Sequence, residues 1–375
     1  MHHGMMTIYK EAGYTSSDAV ARLRGILGMR KIGHTGTLDP DAEGVLPMCL
    51  GNATRICELI ADKEKEYTAV MRLGVRTDTQ DMSGNVLTRM EEEEIRECLC
   101  GATLEDPAAW KIREAAPEDP AARKICEAAP EALAARKICE AAVRFVGEID
   151  QIPPMYSAIK VNGKRLYDLA RKGRTVERKP RRITIYALEV VEVELPLVTI
   201  RVRCSRGTYI RTLCEDIGNA LGTGAAMESL LRTRVGQFAL EEARTLDEVE
   251  RIAKTEPPEA LQALIRPVDS FFADLPAACC AADAVRLLKN GNPLEERQLR
   301  FLAEENKTDS GGDGGASEEE AAGKDVLPLP GAGPKDRVIR VYDDAGRFYG
   351  LYKKADGSRR YKAFKMFLPE EEVSK

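Results

Sequence analysis

The sequence predicts an α+β protein with a small β-rich unit at its C-terminal end, and three observations carry that expectation. A capped amphipathic helix stands near the start, two longer runs alternate apolar and polar residues with period two, and a group of short strand-like runs closes the chain. Thr15 and Ser16 precede Val20, Leu23, Ile26 and Leu27, which share one helical face, and Gly28 follows as a stop. Tyr67, Ala69, Met71 and Leu73 alternate with Thr68, Val70 and Arg72, which predicts a strand with Tyr67 at its start. Val198, Ile200, Val202 and Cys204 alternate more cleanly with Thr199, Arg201 and Arg203, and deliver the chain to Ser205–Arg211. Val338–Tyr342, Arg347–Lys353 and Tyr361–Phe367 read as short strands, with turns at Asp343–Gly346 and Asp356–Gly357.

Two stretches lie between these elements. Lys111–Ala116, Lys124–Ala129 and Lys137–Ala142 repeat a Lys-Ile-x-Glu-Ala-Ala pattern every 13 residues, and Pro117, Pro120 and Pro130 interrupt it. Short helical pieces are expected, as a duplicated surface insertion without chemistry. From Glu304 to Asp325 the residues are mostly Gly, Ser, Glu and Asp with no large apolar side chain, so nothing there offsets the entropy of ordering and disorder is expected.

With 375 residues, 43% of them hydrophobic, the chain can build a large domain and a smaller one. No uncharged apolar run approaches the roughly 18 residues of a membrane span, and Met1–Lys10 lacks the apolar block of a secretory signal, so a cytoplasmic protein is expected. Ten cysteines are dilute in a chain of this length, and Cys49, Cys57, Cys204 and Cys214 sit inside apolar patterns, as reduced thiols would. Cys98/Cys100 and Cys279/Cys280 have the wrong spacing for zinc and no nearby histidine; no metal is expected. The net charge of −5 hides an asymmetry: Lys160 to Arg182 holds ten basic residues against Asp168 and Glu177, a candidate polyanion contact.

The segment Gly33–Pro47 packs glycines, prolines and short polar residues around Asp39. Pro40 biases Asp39 toward extended backbone, while Gly36 and Gly44 permit close approach of another chain or a ligand. His34 is the only histidine beyond His2 and His3, and no G-x-S-x-G elbow or phosphate-binding loop accompanies it.

At this point the residues resemble the bacterial-type TruB family of tRNA pseudouridine synthases, which modify uridine 55 of the T-arm. Four separated motifs carry the likeness: Gly33–Pro47; Lys65-Glu66-Tyr67 leading to Leu73-Gly74 and Thr77–Gly84; Gln151–Lys160 with Leu166-Tyr167; and Cys204–Thr212. It covers residues 6 to 90 and 143 to 240 well and the C-terminal region more weakly. Two departures stand out, Lys10-Glu11 where the family has Lys-Pro, and Leu231-Arg232 where it has Arg-Arg.

The resemblance implies a pseudouridine synthase fold, with a central mixed, mostly antiparallel sheet flanked by helices, and a PUA-like C-terminal domain. It implies a catalytic domain over residues 1–255 with the helical repeat inserted at about 92–142, and an RNA-binding domain over 264–375 interrupted at about 304–333. By position, Asp39 becomes the essential carboxylate, Arg211 its ion-pair partner and Tyr67 the ring stacked on the target base. His34, Tyr209, Leu230, Gly36, Lys65, Lys160, Lys164 and Arg165 become substrate-binding residues. Arg211 is expected to hold Asp39 ionised by offsetting desolvation. The isomerisation breaks C1′–N1 and joins C1′ to C5, which needs a nucleophile or base and a dry pocket but no metal and no organic cofactor. Attack on C1′, attack on C6 and removal of the C2′ proton would all use the same carboxylate. The implied partner is the tRNA T-arm stem-loop, with no guide RNA, no membrane and a monomeric enzyme.

Overall fold

The computed structural model describes residues 2–100, 129–157, 159–161, 163–302, 337–355 and 357–368. Its centre is a nine-stranded sheet built from β1 (Gly4–Lys10), β2 (Ile32–His34), β3 (Glu43–Leu50), β4 (Lys65–Leu73), β7 (Gly147–Gln151), β10 (Arg181–Glu194), β11 (Leu197–Cys204), β12 (Ala225–Val235) and β13 (Phe238–Ala239). The order is β1-β3-β12-β4-β11-β10-β7, with β2 added to β3 and β13 to β12. Every pair is antiparallel except β3 with β12, so the sheet is mixed and mostly antiparallel, as expected. Two small hairpins stand apart from it, β5 (Val75–Thr77) with β6 (Val86–Arg89) and β8 (Lys160–Val161) with β9 (Lys164–Arg165).

Local sequence explains the elements that flank this sheet. Helix α1 (Ser16–Leu27) opens on a Thr15–Asp18 capping box that satisfies orphan amides at both positions, and closes on Gly28 in the left-handed conformation. Strand β4 buries every second residue, Lys65, Tyr67, Ala69, Met71 and Leu73, and begins two residues earlier than its apolar alternation indicates. The short α2 (Cys57–Ala61) leads into it, and α3 (Glu92–Cys100), α4 (Ala129–Val143), α5 (Leu166–Ala170), α6 (Ile210–Leu221) and α7 (Leu246–Thr255) follow along the chain. One core lies where α3, α4 and α6 cover β4, β10, β11 and β12, and a second where α1 and α7 cover β1 and β3.

The repeat expectation needs correction. Its first copy and most of its second lie outside the described residues, but the third, Lys137–Ala142, sits within the 15-residue α4, and Pro130 falls at that helix's start. Ala134 and Ile138 are buried in the main core beside Ile95 and Leu99 of α3, so this copy is a packed layer and not a surface insertion. Small alanines flanking one isoleucine let α4 approach the sheet closely, a signal that composition alone conceals. The segment expected to be disordered, Glu304–Asp325, also lies outside the described residues.

The β-rich C-terminal unit is a six-stranded sheet of order β15-β19-β18-β17-β14-β16, formed by β14 (Ala277–Cys280), β15 (Leu294–Glu295), β16 (Leu299–Phe301), β17 (Arg337–Tyr342), β18 (Phe348–Lys354) and β19 (Arg360–Met366). It has a core of its own around Ile339, Tyr349, Tyr352 and Tyr361, and shares another with the larger sheet, where Phe272, Leu351 and Phe367 meet Met5, Val45 and Ile56. No helix among the described residues is long and apolar enough to cross a membrane.

The parallel contact of β3 with β12 is confined to Leu231↔Glu43 and Arg232↔Gly44. Gly44 has φ +105°, and a Cβ there would come within 2.3 Å of the Arg232 carbonyl oxygen. Gly44→Ala therefore combines backbone strain with a clash against main chain, and is expected to cost roughly 3 kcal/mol of stability. A urea midpoint within experimental error of wild type would show that this junction is not tight.

Candidate active site

Asp39 lies on the loop between β2 and β3, and two buried cations from distant strands hold that loop by its carbonyls. Lys10, fully buried at the end of β1, donates from Nζ to the carbonyls of Glu11 at 3.0 Å, Pro40 at 2.9 Å and Ala42 at 2.6 Å. All three ammonium protons are thereby used. Burial lowers the Lys10 pKa, against the pull of Asp41, Glu43 and Asp39. Arg232, 1% exposed on β12, donates from Nε to Val45 O at 2.7 Å and from its terminal nitrogens to Gly36 O at 3.4 Å and Thr37 O at 3.5 Å. The Ser16 hydroxyl at the head of α1 completes the frame, accepting from Leu38 N at 2.9 Å.

Arg211 comes from the first turn of α6, and its side chain is 6% exposed. Its Nε meets Asp39 Oδ2 at 2.9 Å, Nη1 meets Asp81 Oδ2 at 3.4 Å and Thr79 O at 3.0 Å, and Nη2 donates to Tyr156 O at 2.9 Å. Thus all four separated motifs converge on one guanidinium, and its planar fork explains why four partners can be served at once. Asp81 is itself fixed, accepting from the Thr79 hydroxyl at 2.7 Å and the Ser83 hydroxyl at 2.5 Å. The intervening Gln80 has φ +66°, the one positive-φ residue other than glycine among the described residues. Such strain is kept where it directs neighbouring groups, here Thr79 O and the Asp81 carboxylate.

The Asp39 carboxylate keeps 41% of its surface accessible while its surroundings are largely protein. Burial raises its pKa, Arg211 opposes that rise, and Asp81 adds to it; the net direction is upward. Arg211 thus opposes desolvation as expected without cancelling it, and the second carboxylate, Asp81, shares the guanidinium and works against it. The folded state holds this proton more tightly than the unfolded chain, so its contribution to stability is present below the ordinary 3.8 and is lost as pH rises through the raised value. If reaction requires ionised Asp39, the acid limb of kcat/KM is expected above the ordinary aspartate range, and Asp81→Asn should move it downward. A limb that stays put or moves upward in Asp81→Asn would contradict this account.

Tyr67 and Tyr209 feel the charge of Asp39, and Leu230 shares a core with Tyr67 and with Leu38, the residue before Asp39. Tyr67 lies on β4 opposite both Val202 and Arg232, and the Arg232 guanidinium favours its ionised form against burial. Burial raises the pKa of Tyr67 and of Tyr209, and Asp39 pushes both in the same direction, so all three groups share one electrostatic site. Leu230 packs in the core that contains Leu38 and Tyr67. His34 sits on β2 just before the loop, where burial lowers its pKa and leaves it neutral near pH 7.

Not every expected contact lies here. Lys65 is buried and its Nζ donates to Ala61 O and Lys63 O, both at 2.6 Å, closing the C-terminal end of α2. Burial pulls its pKa down to about 8. It is thus a helix-end cation and not an open substrate contact. Gly36 contributes its carbonyl to Arg232. Lys160, Lys164 and Arg165 belong to the β8–β9 hairpin, but their side chains lie outside the described residues. Lys10 and Arg232 stand in the sequence beside the two departures from the TruB pattern, and only the fold gives them a place in the site, as cations that hold the Asp39 loop.

Residues 24–108 and 107–210 match the TruB family pseudouridylate synthase N-terminal domain, and residues 211–273 match the tRNA pseudouridylate synthase B C-terminal domain. The chain is 42% identical over 377 residues to tRNA pseudouridine synthase B of Lachnoclostridium phytofermentans, covering 98% of this chain and 100% of that protein. The chain belongs to the TruB family. A second TruB relative, tRNA pseudouridine synthase B of Clostridium tetani, is 40% identical over 302 residues, 79% of this chain and 87% of that protein. Among solved structures, a Cbf5-Nop10-Gar1 complex superposes with TM-score 0.60 at 26% identity, over 100% of this chain and 87% of that one. An H/ACA RNP bound to a substrate RNA containing 2′-deoxyuridine gives TM-score 0.59 at 24% identity, over 99% and 86%, a likeness of fold. The C-terminal TruB match ends at residue 273, just before β14 begins at Ala277.

Proposed function

We propose that this chain is a tRNA pseudouridine synthase that isomerises uridine 55 of the T-arm, with Asp39 as the catalytic carboxylate. The observation that carries the reading is the Asp39–Arg211–Asp81 array of a TruB chain, with Tyr67 and Tyr209 in its electrostatic field. Breaking the C1′–N1 bond and joining C1′ to C5 conserves every atom of the base except that a proton leaves C5 and one is gained at N1. A carboxylate whose ionised form is paired but partly accessible can act on the sugar or the base at the start and accept a proton later.

The target base must leave its stack, which costs a few kcal/mol, and stacking on Tyr67 would return about 1 to 3 kcal/mol of that. Leu230 supplies an apolar wall, and neutral His34 can accept or donate a hydrogen bond without adding charge. The chemistry calls for no metal and no organic cofactor.

The exposed basic residues Arg171, Lys172, Arg174, Lys179 and Arg181 support a phosphate-reading clamp for a folded T-arm, which RNA helices invite by shape more than by base sequence. We assign catalysis to residues 1–255 and further RNA contact to the β-rich unit within 264–375. The enzyme is proposed to act as a monomer, without guide RNA. The test is pseudouridine formation by the purified chain alone on an unmodified T-arm stem-loop. Product at the one uridine supports the reading; product only after adding a guide RNA and partner proteins would move the chain to a guide-dependent role, and binding without product to a folding chaperone.

A further inference from the structure

The last residue of β7 and the segment after it grip the residues that precede and include Arg211. Gln151 is 2% exposed, and its carboxamide bonds both main-chain groups of Tyr209: Nε2 donates to Tyr209 O at 3.0 Å, and Tyr209 N donates to Oε1 at 2.8 Å. Only this orientation of the amide satisfies both groups, because a backbone N–H must donate and a carbonyl must accept. The arrangement mimics a single hydrogen-bonded pair of an antiparallel ladder, supplied by one side chain. Tyr209 is the N-cap of α6 and receives no side-chain cap of its own, so this carboxamide is what fixes the entry angle of the helix. Two residues further on, Arg211 donates to Tyr156 O at 2.9 Å, so residues 151 and 156 hold the tripeptide 209–211 at both ends.

We infer that Gln151 is a positioning residue for the reaction proposed above, acting through the Tyr209 backbone to hold Arg211 against Asp39 and the Tyr209 ring beside it. The inference rests on that functional reading. Gln151 is placed at the end of a strand that pairs with Arg181 of β10 and touches no reacting atom, so its loss should loosen the geometry of the chemical step while the RNA-facing surface stays in place.

Two variants test it in one assay, single-turnover pseudouridine formation with tRNA affinity and thermal unfolding measured in parallel. Gln151→Met keeps the volume and removes both hydrogen bonds; its rate is expected to fall roughly tenfold to a hundredfold, with tRNA Kd changed by less than about threefold. Gln151→Glu can accept from Tyr209 N but opposes its carbonyl when ionised, and regains a donor when protonated. Its rate relative to wild type at the same pH should therefore rise as pH falls from about 8 to about 5.5, burial having raised the new carboxyl. That ratio cancels the titration of Asp39 and does not depend on the methionine variant folding. Wild-type rates in both variants, a loss confined to tRNA affinity, or a Gln151→Glu ratio flat in pH would each overturn the inference while leaving the synthase reading intact. No product from the wild type would overturn both.

Discussion

Asp39→Asn is expected to bind tRNA within about twofold of wild type and to form pseudouridine at least about a thousandfold more slowly, since it removes the carboxylate proposed to act on uridine and little else. The substitution is isosteric. Its amide leaves Arg211 still engaged with Asp81, Thr79 O and Tyr156 O, so the guanidinium is not stranded in the interior. Lys10 and Arg232 hold the loop through main-chain carbonyls, which the change does not touch. Single-turnover rate and equilibrium binding measured together make the check, and retention of even a tenth of the wild-type rate would remove Asp39 from the role of catalytic carboxylate.

Arg211→Met should damage both activity and stability. It leaves Asp39 and Asp81 facing each other without their shared cation and strips partners from Thr79 O and Tyr156 O, a loss of roughly 3 kcal/mol or more for a buried charged group of this kind. The acid limb of the residual activity should move upward, because the one group lowering the Asp39 pKa most has gone. That direction is opposite to the one expected for Asp81→Asn, so the pair of variants separates the two electrostatic effects. Arg211→Lys should rescue little, since a point ammonium cannot reach acceptors from three chain segments. Unfolding midpoints and pH-rate profiles for the three proteins decide it; a limb moving the same way in Arg211→Met and Asp81→Asn would break the argument.

What the sequence disclosed and what it withheld divide along physical lines. The Thr15–Asp18 cap and Gly28, the period-two burial of β4 and the C-terminal strands were legible because local sequence decides them. Asp39, Arg211, Tyr67 and Tyr209 were legible only as members of a constellation, and the fold brings them together. Lys10, Arg232 and Gln151 stand in or beside the motifs, but their roles were not legible because their partners are backbone carbonyls and amides, which have no letter in the sequence. Lys65 misled for the related reason that a basic residue beside a motif invites a substrate role, whereas its charge is spent on the end of a helix four residues upstream. The direction of the Asp39 shift depended on how deeply the loop is set and on the second carboxylate, and neither is a property of spacing.

The frame around the Asp39 loop has a consequence for the order of events at the ribosome. The loop is complete by Ala42, but one of its two fixing cations arrives with residue 232, and the strand carrying the other is anchored at Tyr9 to Arg244 and at Met5 to Arg266. A nascent chain that has emerged through all of Gly33–Pro47 therefore possesses the carboxylate without the geometry. These contacts close large loops and form late. Each molecule gains its chemistry only when most of its synthesis is finished, so a stalled or truncated chain carrying the full motif would be inert toward uridine.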